Sequence, residues 1–253
     1  MPFSRIFLSP SQTRLLRSGT GIYCYHYLGT RPRHSNDPYL YVAAQEFRRQ
    51  LSALKDAGFT SIRLAAVVAA ATPVANQVVI SVDDGAQNFF EQGLGILNEF
   101  GFQAIQFIVA GQIGGINEWD AKHGYPVVPL MDDAQIREWL AAGHEIGSHS
   151  LTHRNLTKLG AAEARTQIMD SKKLLEDRFG VAVRHFCYPH GRFNVLTQAL
   201  VVEAGYETAC STRFGVNGPA GDPYALRRIA PLAGGELCGK VCHRLWRKIG
   251  LAR

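Results

Sequence analysis

Short apolar runs alternate along this chain with longer stretches in which apolar positions recur at helical spacing. "GIYCYHYL" over 21–28 is β-branched and aromatic and follows glycine, which predicts a strand. In "VAAQEFRRQLSALKDAGF" over 42–59, Phe47, Leu51 and Leu54 share one helix face and Gly58 marks the stop. A buried strand over 78–82, a helix over 88–102 ending at Gly101, and a strand over 104–110 follow. "DDAQIREWLAAGH" over 132–144 opens on an Asp cap and closes on Gly143, a helix bounded at both ends. Residues 145–149 read as a short strand, and 160–180 as the longest helix, with Ile168, Leu174, Leu175 and Phe179 at core spacing. A strand over 184–189 halted by Pro189, a helix over 195–206, and strands over 207–212 and 225–231 complete the pattern. Strand, helix, strand at these spacings requires crossover connections, so the strands pair in parallel in an α/β barrel or open sheet. No repeat or linker divides the chain, which predicts one folded unit over 21–235 with an N-terminal extension (1–20) and a C-terminal tail (236–253).

Composition narrows the class. At 253 residues, 46% hydrophobic and 19% charged, the chain can bury a sizeable core, and disorder is excluded as its main state. Its 27 Lys+Arg against 21 Asp+Glu leave +6, with much of the excess near the ends, at Arg5, Arg14, Arg17, Lys240, Arg244, Arg247, Lys248 and Arg253. That balance, with no basic helix or finger spacing in the core, argues against a nucleic-acid partner. The first residues carry no apolar stretch of signal-peptide length, and no run approaches the ~20 apolar residues of a membrane span. Five cysteines, none spaced CxxC, agree with a reducing compartment. Cys238 and Cys242 have no further Cys/His pair at zinc-finger spacing, and a cytoplasmic location is expected.

The chemistry gathers where strands end. "SVDDG" sets Asp83 and Asp84 side by side after an apolar run, either as a solvated turn or as a site where a cation takes one carboxylate and leaves its neighbour for proton transfer. His149 and His153 follow another predicted strand. HxxxH by itself fits surface or capping histidines, but two imidazoles and a carboxylate make a three-ligand set with an open coordination position. In a parallel α/β fold, functional residues collect at strand C-terminal ends.

These stretches resemble the polysaccharide deacetylases, carbohydrate esterase family 4, or NodB-homology domain. "SVDDG" is similar to the family's first motif and "HSLTH" to its second; "HFCYPHGRFN" and "DPYALRRIAP" resemble later segments of its exopolysaccharide subgroup. The resemblance implies a distorted (β/α) barrel of about seven parallel strands, circularly permuted, since "YCYHYL" is similar to the front of the poly-N-acetylglucosamine deacetylases. It also implies that Asp84, His149 and His153 hold a divalent metal, best Zn²⁺ with Co²⁺, Ni²⁺ or Mn²⁺ as alternatives, and that Asp83 is the general base. The general acid is His26 or, in an unpermuted order, His243; His26 is preferred because it sits on a β-like run. Cys187 stands where the family has an arginine that holds the catalytic aspartate; Arg228 is the preferred substitute, with Arg184 and Arg192 as alternatives. Tyr188, Pro189, His190, Gly191 and Arg228 are the expected substrate-binding residues, with the N–H of Tyr188 or a neighbour facing the reaction's oxyanion. Trp119 fits either a sugar-stacking residue or a loop anchor, and "AGQIGG" a flexible active-site loop. His34, His123, His144 and His185 need no function.

The expected activity is metal-dependent removal of N-acetyl groups from amino sugars of a polysaccharide, oligosaccharide or lipid-linked glycan precursor. The alternatives are a sugar deformylase or cyclic-amide hydrolase on the same scaffold, or an inactive carbohydrate-binding protein. "GKVCHRLWRKIGLAR" mixes cations with Leu245, Trp246, Ile249 and Leu251, which fits either a solvated helix or peripheral contact with the inner membrane face. The pattern carries no signal for oligomeric state.

Overall fold

The structure, a computed structural model, describes residues 8–32, 40–69, 76–121 and 126–231. His34, His123, Cys238, Cys242, His243 and the basic tail lie outside the described residues.

Seven strands form the frame: β1 (Thr20–Tyr25), β2 (Gln77–Val82), β3 (Ala104–Ile108), β4 (Glu145–Ser148), β5 (His185–Cys187), β6 (Thr208–Phe214) and β7 (Leu226–Arg228). Each pairs in parallel with the next. The ring closes where Ile229 bridges Tyr23 in parallel, with Cys24 N–H donating to Ile229 O at 2.9 Å and Ile229 N–H to Ile22 O at 2.8 Å. This is the distorted (β/α) barrel that the alternating pattern and the family resemblance predict. The first strand lies between β2 and the last, so the front of the chain completes the barrel. Val216–Asn217 runs antiparallel to β1, and Tyr27–Leu28 pairs with Tyr41–Val42 outside the ring.

Around the barrel lie α1 (Pro10–Arg17), α2 (Ala44–Asp56), α3 (Gln87–Phe100), α4 (Asp133–Ala141), α5 (Ala161–Phe179) and α6 (Val195–Glu203). Their ends obey local chemistry: Asp132 and Asn194 form capping boxes at α4 and α6, and left-handed Gly101 and Gly180 end α3 and α5. Helix α1 lies outside the elements that the periodicity predicts, although Ser9, Pro10 and Gln12 spell a capping box with proline at the first turn. It falls in the expected N-terminal extension, yet its Leu16 is buried in the core.

Strand alternation divides the apolar residues into two sets. Val78, Ile80, Val82, Ile146 and Phe186 face the helices, where they meet Phe47, Leu51, Ile168 and Leu175. Tyr25, Phe47, Phe89 and Trp139 form a chain of ring contacts there, with centroids 4.9, 5.3 and 6.5 Å apart. Each such side chain removed from water contributes about 1.5–3 kcal/mol. Ile22, Val79, Ile105, Phe107, Cys187, Cys210 and Leu226 fill the barrel interior. That inner column continues upward into polar residues. No helix among the described residues is long and apolar enough to cross a membrane.

Candidate active site

Parity along β2 decides where the two aspartates go. Val79 points inward, and so two and four residues later do Ser81 and Asp83. The Asp83 N–H makes a last ladder bond to Tyr25 O at 2.9 Å. The chain then takes two left-handed residues, Asp84 (φ 73°) and Gly85 (φ 74°). Glycine suits the second because a Cβ there would also stand 3.0 Å from Ile108 Cδ1. This reversal carries the Asp84 carboxyl to the loop after β4.

In that loop His149 and His153 converge without helical backbone. Ser150 (φ 67°) and His153 (φ 57°) are left-handed, and the turn is held by Ser150 Oγ, which accepts from His153 N–H at 3.0 Å. Gln167 Oε1 of α5 accepts from Thr152 N–H at 3.0 Å and fixes the loop from outside. His149 Nε2 lies 3.6 Å and His153 Nε2 3.5 Å from Asp84 Oδ1. All three side chains are buried.

The electrostatics favour ligation. Burial lowers His149 to about 4, and burial with the neighbouring imidazoles puts His153 well below its ordinary value, so both are neutral near pH 7. Burial, with Asp83 adding to it, raises Asp84 to about 7. Tyr27 O–H donates to Asp84 Oδ2 at 2.8 Å, while Oδ1, facing both imidazoles, has no hydrogen-bond partner. A buried acceptor left in that state costs about 1–3 kcal/mol. Asp84, His149 and His153 each offer one ligand atom, all within 4.8 Å of one another, so the donor set fits a divalent cation of the zinc type.

Asp83 is held differently. Arg228 Nη1 donates to its Oδ1 at 2.7 Å and Nη2 to its Oδ2 at 2.8 Å, a bidentate pair. The guanidinium is itself fixed by Nε donating to Ser211 O at 2.8 Å, and Nη2 lies 3.2 Å from Cys187 Sγ. Burial alone would raise the Asp83 pKa, but the charge of Arg228, together with the hydrogen bonds from its guanidinium, outweighs it and holds the carboxyl well below the usual range. Arg228 thus stands against Asp83 and fully enclosed, rather than facing a glycan as a substrate-binding residue would. Arg184 points away and bonds Glu207, and Arg192 Nε has no hydrogen-bond partner. Cys187 and Cys24 place their sulfurs 3.5 and 3.7 Å from Asp83 Oδ2. His26 Nε2 is 3.8 Å from the same oxygen, on a partly exposed side chain.

Of the other expected substrate residues, only His190 is exposed. Tyr188 is buried, donating from its hydroxyl to Tyr224 O at 3.1 Å, and its N–H is committed to Cys210 O at 3.1 Å, so it is not free for an oxyanion. Pro189 is buried as well. Gly191 (φ 66°) lies so close to Thr212 that a Cβ would meet its Oγ1 at 1.9 Å. The "AGQIGG" segment, expected to be a flexible loop, is tied down at Gly111 N–H to Leu151 O (2.8 Å), Gly114 N–H to Met131 O (2.9 Å) and Leu130 N–H to Gly115 O (3.0 Å). His144 and His185 are buried core residues, each with Nδ1 in a hydrogen bond, to Ala104 N–H at 3.2 Å and to Thr208 Oγ1 at 2.9 Å, and Nε2 without a hydrogen-bond partner. Tyr27 escaped the sequence pattern because it lies outside the barrel ladder, although its place beside His26 is a signal once the strand end is known.

A model of the polysaccharide deacetylase family matches residues 70–209. Protein YxkH of Bacillus subtilis is 26% identical over 194 residues, 75% of this chain and 65% of its own, so the chain spans just under two thirds of that relative. Among solved structures, the Streptococcus pyogenes deacetylase PplD in complex with acetate superposes with a TM-score of 0.74 at 20% identity, covering 85% of this chain and 92% of its own. IcaB from Ammonifex degensii gives 0.73 at 19% identity, covering 93% and 98%.

Proposed function

Because this chain belongs to the polysaccharide deacetylase family, we propose that it hydrolyses N-acetyl groups of amino sugars in a glycan, with a divalent ion held by Asp84, His149 and His153. The observation that carries this reading is Asp84 Oδ1, buried and unpartnered, facing two neutral imidazoles at 3.5 and 3.6 Å. When bound, such an ion polarises the amide carbonyl and makes water more acidic. Asp83, kept ionised by Arg228, takes the proton of the attacking water. Its strong pairing makes it a weak base. His26, on the partly exposed side of the same carboxylate, delivers a proton to the leaving amine nitrogen. The C–N bond breaks as that proton arrives, and acetate and a free amine result. The acetate in the PplD structure supports the acyl class.

The test is metal content and acetate release on one preparation of wild type, Asp84→Ala and Asp83→Asn. Wild type should carry one divalent ion and release acetate from N-acetylglucosamine oligomers. Asp84→Ala should lose the ion. Asp83→Asn should keep it and lose about 10²–10⁴-fold in turnover. Metal without acetate release would redirect the search to formylated sugars or cyclic amides; no metal after reconstitution would defeat the reading.

A further inference from the structure

The two histidines of the site are supported in different ways. A metal-binding imidazole is ordinarily oriented by a hydrogen bond from its second nitrogen to a carbonyl or carboxylate. His149 follows that rule, with Nδ1 2.8 Å from Cys187 O. His153 does not: its Nδ1 is buried and has no hydrogen-bond partner. Its backbone is also left-handed, at φ 57°, a conformation that non-glycine residues adopt at some cost.

Rings take the place of the missing hydrogen bond. Trp119 covers one face of His153 in a tilted stack, centroids 4.5 Å apart and planes 32° apart. His190 meets it edge-on at 4.7 Å and 70°, and His149 at 4.8 Å and 65°. Trp119 comes from the loop after β3 and His190 from the loop after β5, so two loops close on the imidazole presented by a third. Both loops are braced. Buried Asn117 accepts from Val128 N–H at 2.6 Å and donates to Pro126 O at 3.0 Å, fixing the turn that carries Trp119. The Gly191 N–H bond to Tyr188 O at 2.7 Å, with Gly191 packed on Thr212, fixes His190.

We propose that Trp119 and His190 are positioning residues that hold the His153 imidazole in its ligand orientation and thereby set the affinity of the site for a divalent cation. This rests on the reading of Asp84, His149 and His153 as the cation site. Stacking restricts the χ angles of His153 as a hydrogen bond would, so a flat ring at position 119 is required and an aliphatic side chain is not equivalent. Trp119 is therefore committed to His153 on one face, whatever it offers on the other.

The experiment measures Zn²⁺ affinity by competition with a chromogenic chelator, on metal-stripped wild type, Trp119→Leu, Trp119→Phe, His190→Ala and Asp84→Ala. Trp119→Leu should weaken binding about 10–100-fold, the usual effect of losing a support outside the ligand shell. Trp119→Phe should recover most of that loss, and His190→Ala should weaken binding while leaving the metal-free melting temperature unchanged. Co²⁺ should quench tryptophan fluorescence in wild type, with most of the quenching absent in Trp119→Phe. Affinities for Trp119→Leu and His190→Ala within twofold of wild type, alongside loss of binding in Asp84→Ala, would overturn the positioning role and leave the cation site standing. Binding that survives Asp84→Ala would overturn both.

Discussion

Replacing Arg228 by methionine would leave the Asp83 carboxylate enclosed without the cation that neutralises it. Both carboxylate oxygens are engaged, at 2.7 and 2.8 Å, and neither side chain is appreciably exposed. Breaking a buried pair from one side costs about 3–5 kcal/mol, far more than the pair would contribute over an apolar replacement of both partners. Total stability of a domain is ~5–15 kcal/mol, and at roughly 2–4 °C per kcal/mol the variant should melt about 10 °C lower. Arg228→Lys keeps the charge but not the planar fork, nor the Nε bond to Ser211 O, so it should fall between. The assay is urea unfolding of metal-free protein near neutral pH, run as a double-mutant cycle with Asp83→Asn. The coupling should lie at the upper end of the ~0.5–3 kcal/mol seen for contacting residues. Turnover of Arg228→Met at saturating metal should drop together with stability, because the carboxylate loses its fixed orientation. A loss below about 1 kcal/mol with no coupling would refute the reasoning; it would mean that water or a rearranged neighbour takes the guanidinium's place.

The remaining predictions concern His26 and the two histidines buried away from the site. His26→Gln should retain metal and lower kcat by about 10²–10⁴ with little change in KM; activity within a few fold of wild type would move the proton donor elsewhere, with His243 next to be tested. Burial lowers His144 and His185 to about 4 from an ordinary value of 6.5, so the folded state refuses a proton that the unfolded chain accepts. Their contribution to stability is whole above pH 6.5 and is lost as pH falls towards 4, each at about 1.4 kcal/mol per pH unit. Urea midpoints between pH 7 and 4.5 should therefore fall less steeply in His144→Gln and His185→Gln than in wild type; parallel slopes would show that these imidazoles do not stay neutral in the fold.

Much of this protein was legible along the chain. Alternating strand and helix periods, with caps at Asp132 and Asn194 and stops at Gly101 and Gly180, are local physics and specified nearly every element. The adjacent aspartates and the HxxxH pair were visible for the same reason: ligands on one short loop keep their spacing in sequence. Parallel pairing then puts both at strand ends on one side of the barrel. What the chain by itself left open is which distant side chain meets which. Arg228 reaches Asp83 across 145 residues only because β7 closes on β1 and alternation turns both side chains inward. That register also encloses Tyr188 and commits its N–H to the sheet, where the motif alone placed it against substrate. Tyr27 on Asp84, and Trp119 and His190 on His153, likewise depend on loops from separate strands meeting over one opening. Periodicity and capping act over a few residues and can be read from them. Ring closure and the contacts between loops are set by the packing of the whole barrel, and only the folded chain decides them.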